Sequence, residues 1–206
     1  MASQDARPVL LLVSGPSGSG KGTALERLVG VGFVRVATYT TRAPRSGEED
    51  GVHYHFVDED QFMKRVEGGD IVEYTRTYSD SLYGAPAELF ETERSEALLA
   101  EVDVKGFARL RSLSRRRVVG LFVSAPTVGH AEARINGRGR VENLDRRLEV
   151  GDSQLDHSWW YDYFVVNDDL ERFRETVEMV GRVELARTEG ARYLAQRWMD
   201  MDATLA

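Results

Sequence analysis

A glycine-rich segment near the N-terminus constrains the fold of this chain more than any other feature. It covers residues 15 to 23, between an apolar stretch at 9–13 and a helix-like stretch at 24–29. Glycines let several backbone N–H groups turn into one concavity, and a helix N-terminus adds its positive end. The pattern predicts a strand, a phosphate-binding loop and a helix start, with Lys21 reaching the terminal phosphates of a nucleoside triphosphate. The residues predicted to bind ATP in this loop are Gly15, Pro16, Ser17, Gly18, Ser19, Gly20, Lys21, Gly22 and Thr23.

One position of the loop departs from the usual pattern. A serine or threonine normally follows the lysine, and here Gly22 stands between Lys21 and Thr23. The sequence leaves open whether a hydroxyl binds Mg²⁺ directly, and an ion that accompanies ATP can be held through water near Gly22, Thr23 and Glu101. The chain has no cysteine, which excludes disulfides, thiolate catalysis and cysteine-ligated zinc, and we predict no protein-bound transition metal.

Five short apolar runs predict the architecture. They lie at residues 9–13, 33–37, 97–102, 118–123 and 163–166, and helical periodicity or an insertion separates each from the next. Buried strands spaced in this way indicate a parallel sheet wrapped by helices, so the fold class is α/β. The phosphate loop then lies at the carboxyl ends of the strands, where open α/β sheets bind ligands. With 206 residues, 42% of them apolar, we expect one domain over 1–206.

Two insertions interrupt this predicted core. Residues 38–86 mix strand-like alternation with a short capped helix, which favours a small mixed α/β subdomain. Residues 137–146 are short, rich in arginine and flanked by helices, a composition typical of a mobile lid. The core itself is then assigned to residues 8–37, 87–136 and 147–206.

Charge narrows the range of partners. The formal net charge is −7, which argues against a nucleic acid or an anionic membrane as partner. Residues 1–7 are mostly polar and the next apolar run has only strand length, so we predict no signal peptide or membrane helix and a cytoplasmic location. The basic run Arg115–Arg117 is most simply a solvated connection between a helix and a strand. The sequence leaves the oligomeric state open.

Motifs downstream of the loop occur in an order that points to a family. Residues 38–56 read TYTTRAPRSGEEDGVHYHF, and they are followed by Glu73, Tyr83-Gly84, Asp103 and the run VNDDL at 166–170. Together they strongly resemble the guanylate kinase family, over about nine tenths of the chain. The resemblance implies a P-loop nucleoside monophosphate kinase that uses ATP and Mg²⁺, binds the monophosphate in the insertion at 38–86 and closes the lid at 137–146.

The resemblance also implies an acceptor site. The phosphate of the acceptor, a dianion that suits guanidinium groups, would be held by Arg42, Arg45, Tyr54 and Tyr83. Glu73 would accept from the ring N–H and the exocyclic amine of guanine, a pair of donors that adenine does not have. Further implied contacts to the acceptor nucleoside come from Thr38, Ala85 and Asp103. Asp103 also has a simpler interpretation, as the cap of the helix that follows it.

The donor side is implied in the same way. Lys21 and the loop amides would bind the triphosphate, with Asn167 also at the ATP site. The arginines implied to close over the transferring phosphoryl group are Arg134, Arg138 and Arg147. Arg134 and Arg138 lie on one face if their helix extends that far. Phosphoryl transfer requires in-line positioning and neutralisation of charge, which these side chains and Mg²⁺ supply.

Ala85 departs from the family pattern. The family usually has a serine or threonine there, whose hydroxyl contacts the guanine carbonyl, and leaving that acceptor unpaired costs about 1 to 3 kcal/mol. The sequence therefore supports a guanylate kinase that makes GDP or dGDP from GMP or dGMP, and as an alternative a kinase for a different or modified nucleoside monophosphate. A non-catalytic interaction module is less well supported, because it needs neither Lys21 nor lid arginines.

Overall fold

Two sheets and six α-helices are present in the computed structural model, which describes residues 6–45, 47–77, 80–91, 94–137 and 144–205. The side chains of 145–147 and 197–205 lie outside that description. The strands are β1 (Val9–Ser14), β2 (Val34–Arg35), β3 (Thr38–Thr40), β4 (Tyr54–Phe56), β5 (Ile71–Arg76), β6 (Leu82–Pro86), β7 (Leu98–Glu101), β8 (Arg117–Ser124) and β9 (Tyr163–Val166). The helices are α1 (Lys21–Gly30), α2 (Glu59–Glu67), α3 (Val104–Leu113), α4 (Val128–Asn136), α5 (Leu144–Leu155) and α6 (Leu170–Leu205).

The core sheet is parallel, with the strand order β2-β7-β1-β8-β9. Its central strand, β1, is buried along its whole length. Leu11 and Val13 belong to one apolar cluster, which also contains Phe173 of α6, and Leu10 belongs to a second cluster with Phe107 of α3. Because both faces are covered, the strand reads as a continuous apolar run. The predicted α/β fold is confirmed, and each predicted apolar run contains or overlaps a strand of this sheet, although β2 covers only two residues of the run at 33–37.

The second sheet is mixed and lies within the predicted insertion. Its order is β4-β3-β6-β5, with β3 and β4 parallel and the other neighbours antiparallel. Phe62 of α2 packs with Ile71 and Leu82 in a small separate cluster. The Asp58 carboxylate accepts from the Gln61 amide and completes a capping box at the start of α2. The mixed subdomain is therefore present, while its exact limits at 38 and 86, and those of the lid, stay predictions.

The basic run Arg115–Arg117 at the start of β8 is not the fully solvated connection that the sequence predicts. Arg116 is not solvated but 2% exposed, and its guanidinium donates to the carbonyl oxygens of Glu91, Arg94 and Glu96. Its neighbour Arg117 forms an ion pair with Glu184 of α6. The prediction of a solvated connection was wrong because the loop before β7 turns its carbonyls inward, and a buried guanidinium satisfies several of them at once.

The last helix, α6, has a side-chain cap at its start and runs unbroken to Leu205. Asp169 Oδ1 accepts from the Arg172 amide at 2.9 Å, and α6 passes Gly181 and Gly190 without a break. Helix α4 ends at Asn136, and Arg138 lies outside the described residues. Within the described ranges, no helix is both long enough and apolar enough to cross a bilayer.

Candidate active site

A cavity of about 200 Å³ is lined by residues from both sheets. The side of the phosphate loop contributes Gly15, Ser17 and Lys21, and the end of β7 contributes Glu101. The second sheet, the loop after β3 and the start of α3 contribute every residue that the sequence assigned to the acceptor: Thr38, Arg42, Arg45, Tyr54, Glu73, Tyr83, Ala85 and Asp103. Residues far apart in the chain are therefore brought to one cavity at the carboxyl ends of β1 and β7.

The phosphate loop is shaped by glycine. Gly15 has φ +144°, and a Cβ there would lie 2.0 Å from the Val123 carbonyl oxygen, so a larger residue does not fit. The next helix, α1, begins at Lys21 after Gly20, without a side-chain cap on its first amides. Uncapped amides at a helix N-terminus bind anions. The loop thus has the backbone geometry of a phosphate site.

Lys21 is folded back over this loop. Its Nζ donates to the carbonyl oxygens of Gly15 at 2.8 Å and Pro16 at 3.0 Å, and lies 3.7 Å from Glu101 Oε1. These partners hold the ammonium group beside the loop amides. A terminal phosphate bound there can take over the ammonium hydrogen bonds without a large movement of the side chain.

Two further residues of the predicted donor site, Asn167 and Arg134, are linked to the loop by hydrogen bonds and do not line the cavity. Asn167 Nδ2 donates to the Ser19 carbonyl at 2.9 Å, and Arg134 Nη2 donates to the Asn167 carbonyl at 2.9 Å. Arg134 Nη1 is buried, with no hydrogen-bond partner among the described residues. Asn167 thus supports the loop backbone directly. Arg138 and the side chain of Arg147 lie outside the described residues.

Arg42 is held in one orientation at one end of the cavity. Its Nη1 and Nη2 donate to the two carboxylate oxygens of Glu48 at 2.9 and 3.0 Å, while Nε donates to Tyr83 Oη at 3.0 Å. Burial opposes ionisation of Glu48, yet the hydrogen bonds from Arg42 hold its pKa below the usual value. The Nε edge of the guanidinium therefore faces the cavity together with a phenolic hydroxyl.

Tyr54 adds a second hydroxyl to this end. Its ring lies 5.5 Å from the Arg42 guanidinium carbon, and the residue is 8% exposed. Burial, and after it the nearby Glu101 carboxylate, raises the pKa of Tyr54 well above its usual value. The phenol stays protonated and can donate to a phosphate oxygen.

Two carboxylates form the other end of the cavity. Glu73 is 5% exposed, and its burial, together with the charge of Asp103, raises its pKa to about 7. Burial also raises the pKa of Asp103, whose Oδ1 accepts from the Gly106 amide at 2.7 Å. Asp103 therefore caps α3 and lines the cavity at the same time. A ligand that donates N–H groups to this end would compensate the buried charge.

Ala85 lies directly opposite Glu73 across the β5–β6 ladder, and it is 2% exposed. Residues paired across an antiparallel ladder project from the same face of the sheet. The methyl group of Ala85 thus adjoins the Glu73 carboxylate, at the point where a serine or threonine would add a hydroxyl. Thr38 on β3 is also buried and lines the same cavity.

Some lining residues were missed by sequence reasoning. Thr75 and Thr77 follow Glu73 at intervals of two, and strand alternation could have placed them on its face. Helix α5 contributes Val150, Gly151 and Gln154, and a Cβ on Gly151 would lie 3.1 Å from Pro16 Cβ. No local signal predicts that approach, because it depends on how α5 packs against the loop.

The chain is similar to guanylate kinases over most of its length. The family model described as Guanylate kinase matches residues 6–182. Guanylate kinase of Rhodospirillum rubrum is 33% identical over 184 residues, which are 86% of this chain and 84% of that protein. That of Ruegeria pomeroyi is 33% identical over 190 residues, 89% of each. The crystal structure of guanylate kinase from Anaplasma phagocytophilum matches with a TM-score of 0.70 at 28% identity, and the match covers 86% of each chain.

Proposed function

Because this chain belongs to the guanylate kinase family, we propose that it transfers the γ-phosphoryl group of ATP to GMP or dGMP, giving ADP and GDP or dGDP. One observation carries the proposal: a single cavity has Lys21 and the phosphate loop on one side and the buried Glu73 carboxylate on the other. Such a cavity suits an acceptor nucleotide whose phosphate meets the terminal phosphate of ATP beside Lys21. The protein's binding partners are then small nucleotides. From the composition, we propose a cytoplasmic location.

The acceptor phosphate is placed between Arg42 and the two tyrosines. Glu48 occupies the Nη1 and Nη2 edge of Arg42, so a phosphate oxygen would approach from the Nε side beside the Tyr83 hydroxyl. The protonated phenol of Tyr54 supplies a further donor, and Arg45 adds charge from the cavity wall. A fixed guanidinium orients the dianion at little entropic cost when it binds, and phosphoryl transfer depends on that orientation.

Guanine is placed at the carboxylate end. Its ring N–H and exocyclic amine both donate, and the ionised Glu73 accepts from both, which relieves the cost of burying the charge. Asp103 lies beside it as a second acceptor. Adenine presents an acceptor at the ring nitrogen, so its binding would leave the carboxylate unsatisfied. The base preference thus follows from a buried acceptor that requires donors.

Donor phosphates are placed on the loop amides and Lys21. Mg²⁺ would be held mainly through water near Gly22, Thr23 and Glu101, because Gly22 offers no side chain and Glu101 is already close to Lys21. Bound there, the ion would neutralise phosphate charge during transfer. Arg134 donates to the Asn167 carbonyl, and its buried Nη1 has no hydrogen-bond partner among the described residues. Roles for Arg138 and Arg147 in closing the site stay predictions.

A second candidate rests on Ala85. Its methyl group adjoins Glu73 where the guanine carbonyl would lie. A base without an acceptor at that position would therefore leave no hydrogen bond unmade. The alternative is therefore a kinase for a different or modified nucleoside monophosphate that uses the same phosphate machinery. Adding the hydroxyl through Ala85→Ser separates the two, because it raises selectivity for GMP only if guanine binds at this position.

Substrate kinetics test the proposal. The purified chain is assayed for ADP formation with ATP, Mg²⁺ and each of GMP, dGMP, IMP, AMP, CMP and UMP. We expect the highest kcat/KM for GMP or dGMP. We also expect Ala85→Ser to increase the ratio of kcat/KM for GMP to kcat/KM for AMP. A clear preference for a nucleotide without guanine would refute the first candidate and favour the second.

A further inference from the structure

The outer face of helix α6 is apolar although the rest of the helix is firmly held. Met179 is 65% exposed and Val183 is 50% exposed, and Ala186 and Gly190 are exposed further along the helix. A Cβ added to Gly190 would meet nothing within 4 Å. These four residues, which we call the outer seam, are separated by four, three and four positions, the spacing of a coiled-coil contact. The family match ends at residue 182, so three of the four seam residues lie beyond it.

Contacts on the opposite side of the helix fix the direction of the seam. Glu184 and Thr188 are 1% and 5% exposed, and Arg117 donates hydrogen bonds to both. One turn further, Arg192 donates to the carbonyls of Ala6 and Ser95. At 3.6 residues per turn, this row lies on nearly the opposite side of α6 from the outer seam. The seam therefore points away from the body of the protein.

The seam is complementary to itself in one orientation. Its larger residues, Met179 and Val183, come first, and its small residues, Ala186 and Gly190, come last. In an antiparallel pair, Met179 packs over Gly190 of the partner subunit and Val183 packs against the partner's Ala186. A parallel pair would place large against large and leave a gap at the glycines.

Charges beside the seam follow the same arrangement. Arg182 and Glu189 are exposed, lie seven residues apart and therefore share one edge of the helix. In the antiparallel register, Arg182 meets Glu189 of the partner subunit, and two-fold symmetry repeats the pair. In the two-fold arrangement, both charges of each subunit are paired. A head-to-tail contact would pair only one of the two charges of each subunit.

We propose that α6 joins two copies of this chain in an antiparallel two-fold dimer through the outer seam. The contact spans about 27 Å of helix between residues 176 and 193. An interface of one helix pair is at the small end of specific interfaces, so the dimer is reversible and forms at micromolar concentrations. The inference does not depend on the proposed activity.

Sedimentation velocity of the full chain from 1 to 200 µM tests the proposal. We expect a weight-average sedimentation coefficient that rises from the monomer toward the dimer. Val183→Glu places a charge inside the contact and should weaken dimerisation at least about tenfold, while Leu113→Glu, at an exposed apolar site on α3, should leave it unchanged. Nucleotide kinetics report whether each variant is folded. A chain that stays monomeric at 200 µM, or a dimer that Val183→Glu does not weaken, overturns the proposal.

Charge reversal and crosslinking test the register. Arg182→Glu and Glu189→Arg should each weaken the dimer, and the double variant should restore it. Because the chain has no cysteine, introduced cysteines report single contacts. A mixture of Met179→Cys and Gly190→Cys chains should form a disulfide between them. Gly190→Cys alone should not, since the two copies lie about 16 Å apart along the antiparallel pair. Rapid crosslinking of Gly190→Cys to itself would indicate a parallel pair and refute the register.

Discussion

The buried carboxylate of Glu73 should make the stability of the nucleotide-free protein depend on pH. Its pKa is about 7 in the folded state against a usual value of 4.5, so the folded state holds this proton more tightly than the unfolded state. Stability from this group is therefore greatest below pH 4.5 and is lost as pH rises toward 7. At 1.36 kcal/mol for each pKa unit, the loss amounts to about 3 kcal/mol above pH 7.

Glu73→Gln removes the titrating group and keeps the shape of the side chain. We expect the variant to resemble the unchanged protein in stability near pH 5 and to exceed it by about 3 kcal/mol at pH 8. In a chain of this length, that corresponds to a rise in Tm of about 6 to 12 °C. The same variant should lose most of its selectivity for GMP, because an amide cannot accept from both guanine donors.

The measurement is urea unfolding of both proteins without nucleotide at pH 5 and pH 8. Glu67→Gln, at an exposed position on α2, is the matched control and should not change the pH dependence. If Glu73→Gln shows the same loss of stability between the two pH values as the unchanged protein, the cost of burying the carboxylate has been misassigned.

Three further substitutions test the donor loop, the acceptor phosphate site and the buried connection. Lys21→Ala should lower kcat for phosphoryl transfer at least about 100-fold, whereas Lys64→Ala on the exposed side of α2 should not, and retention of full activity would remove Lys21 from the donor site. Arg42→Lys should lower kcat/KM for GMP about 10- to 100-fold without changing KM for ATP, because the ammonium cannot bind Glu48 and phosphate together; an equal loss for both substrates would contradict this. Arg116→Met should lower the free energy of unfolding by about 2 to 4 kcal/mol, while Arg115→Met at the exposed neighbouring position should change it little, and equal effects would mean that the carbonyl contacts contribute nothing.

Much of the site could be predicted because its signals are local. The glycines of the phosphate loop, the capped start of α2 and the apolar strand runs each depend on neighbouring residues, and all of them are present as expected. The burial of Arg116 could not be predicted, because its carbonyl partners lie about 20 residues earlier, on a loop whose path is set by tertiary packing. The approach of α5 to the cavity through Gly151 has the same origin.

The pairing of Glu73 with Ala85 across the β5–β6 ladder depends on a β-bulge that the sequence alone does not predict. The β5–β6 ladder shifts register between Ile71 and Glu73, which is the effect of one extra residue in a strand. In a regular ladder that starts from the Ile71 pairing, Glu73 would lie opposite Gly84. The Glu73 side chain would then project from the face opposite to Tyr83 and Ala85. The bulge therefore brings the Glu73 carboxylate and the Tyr83 phenol to the same side of the sheet. A sequence motif can identify both Glu73 and Tyr83 as candidate site residues. Only the register of β5 and β6 explains why both line the same cavity.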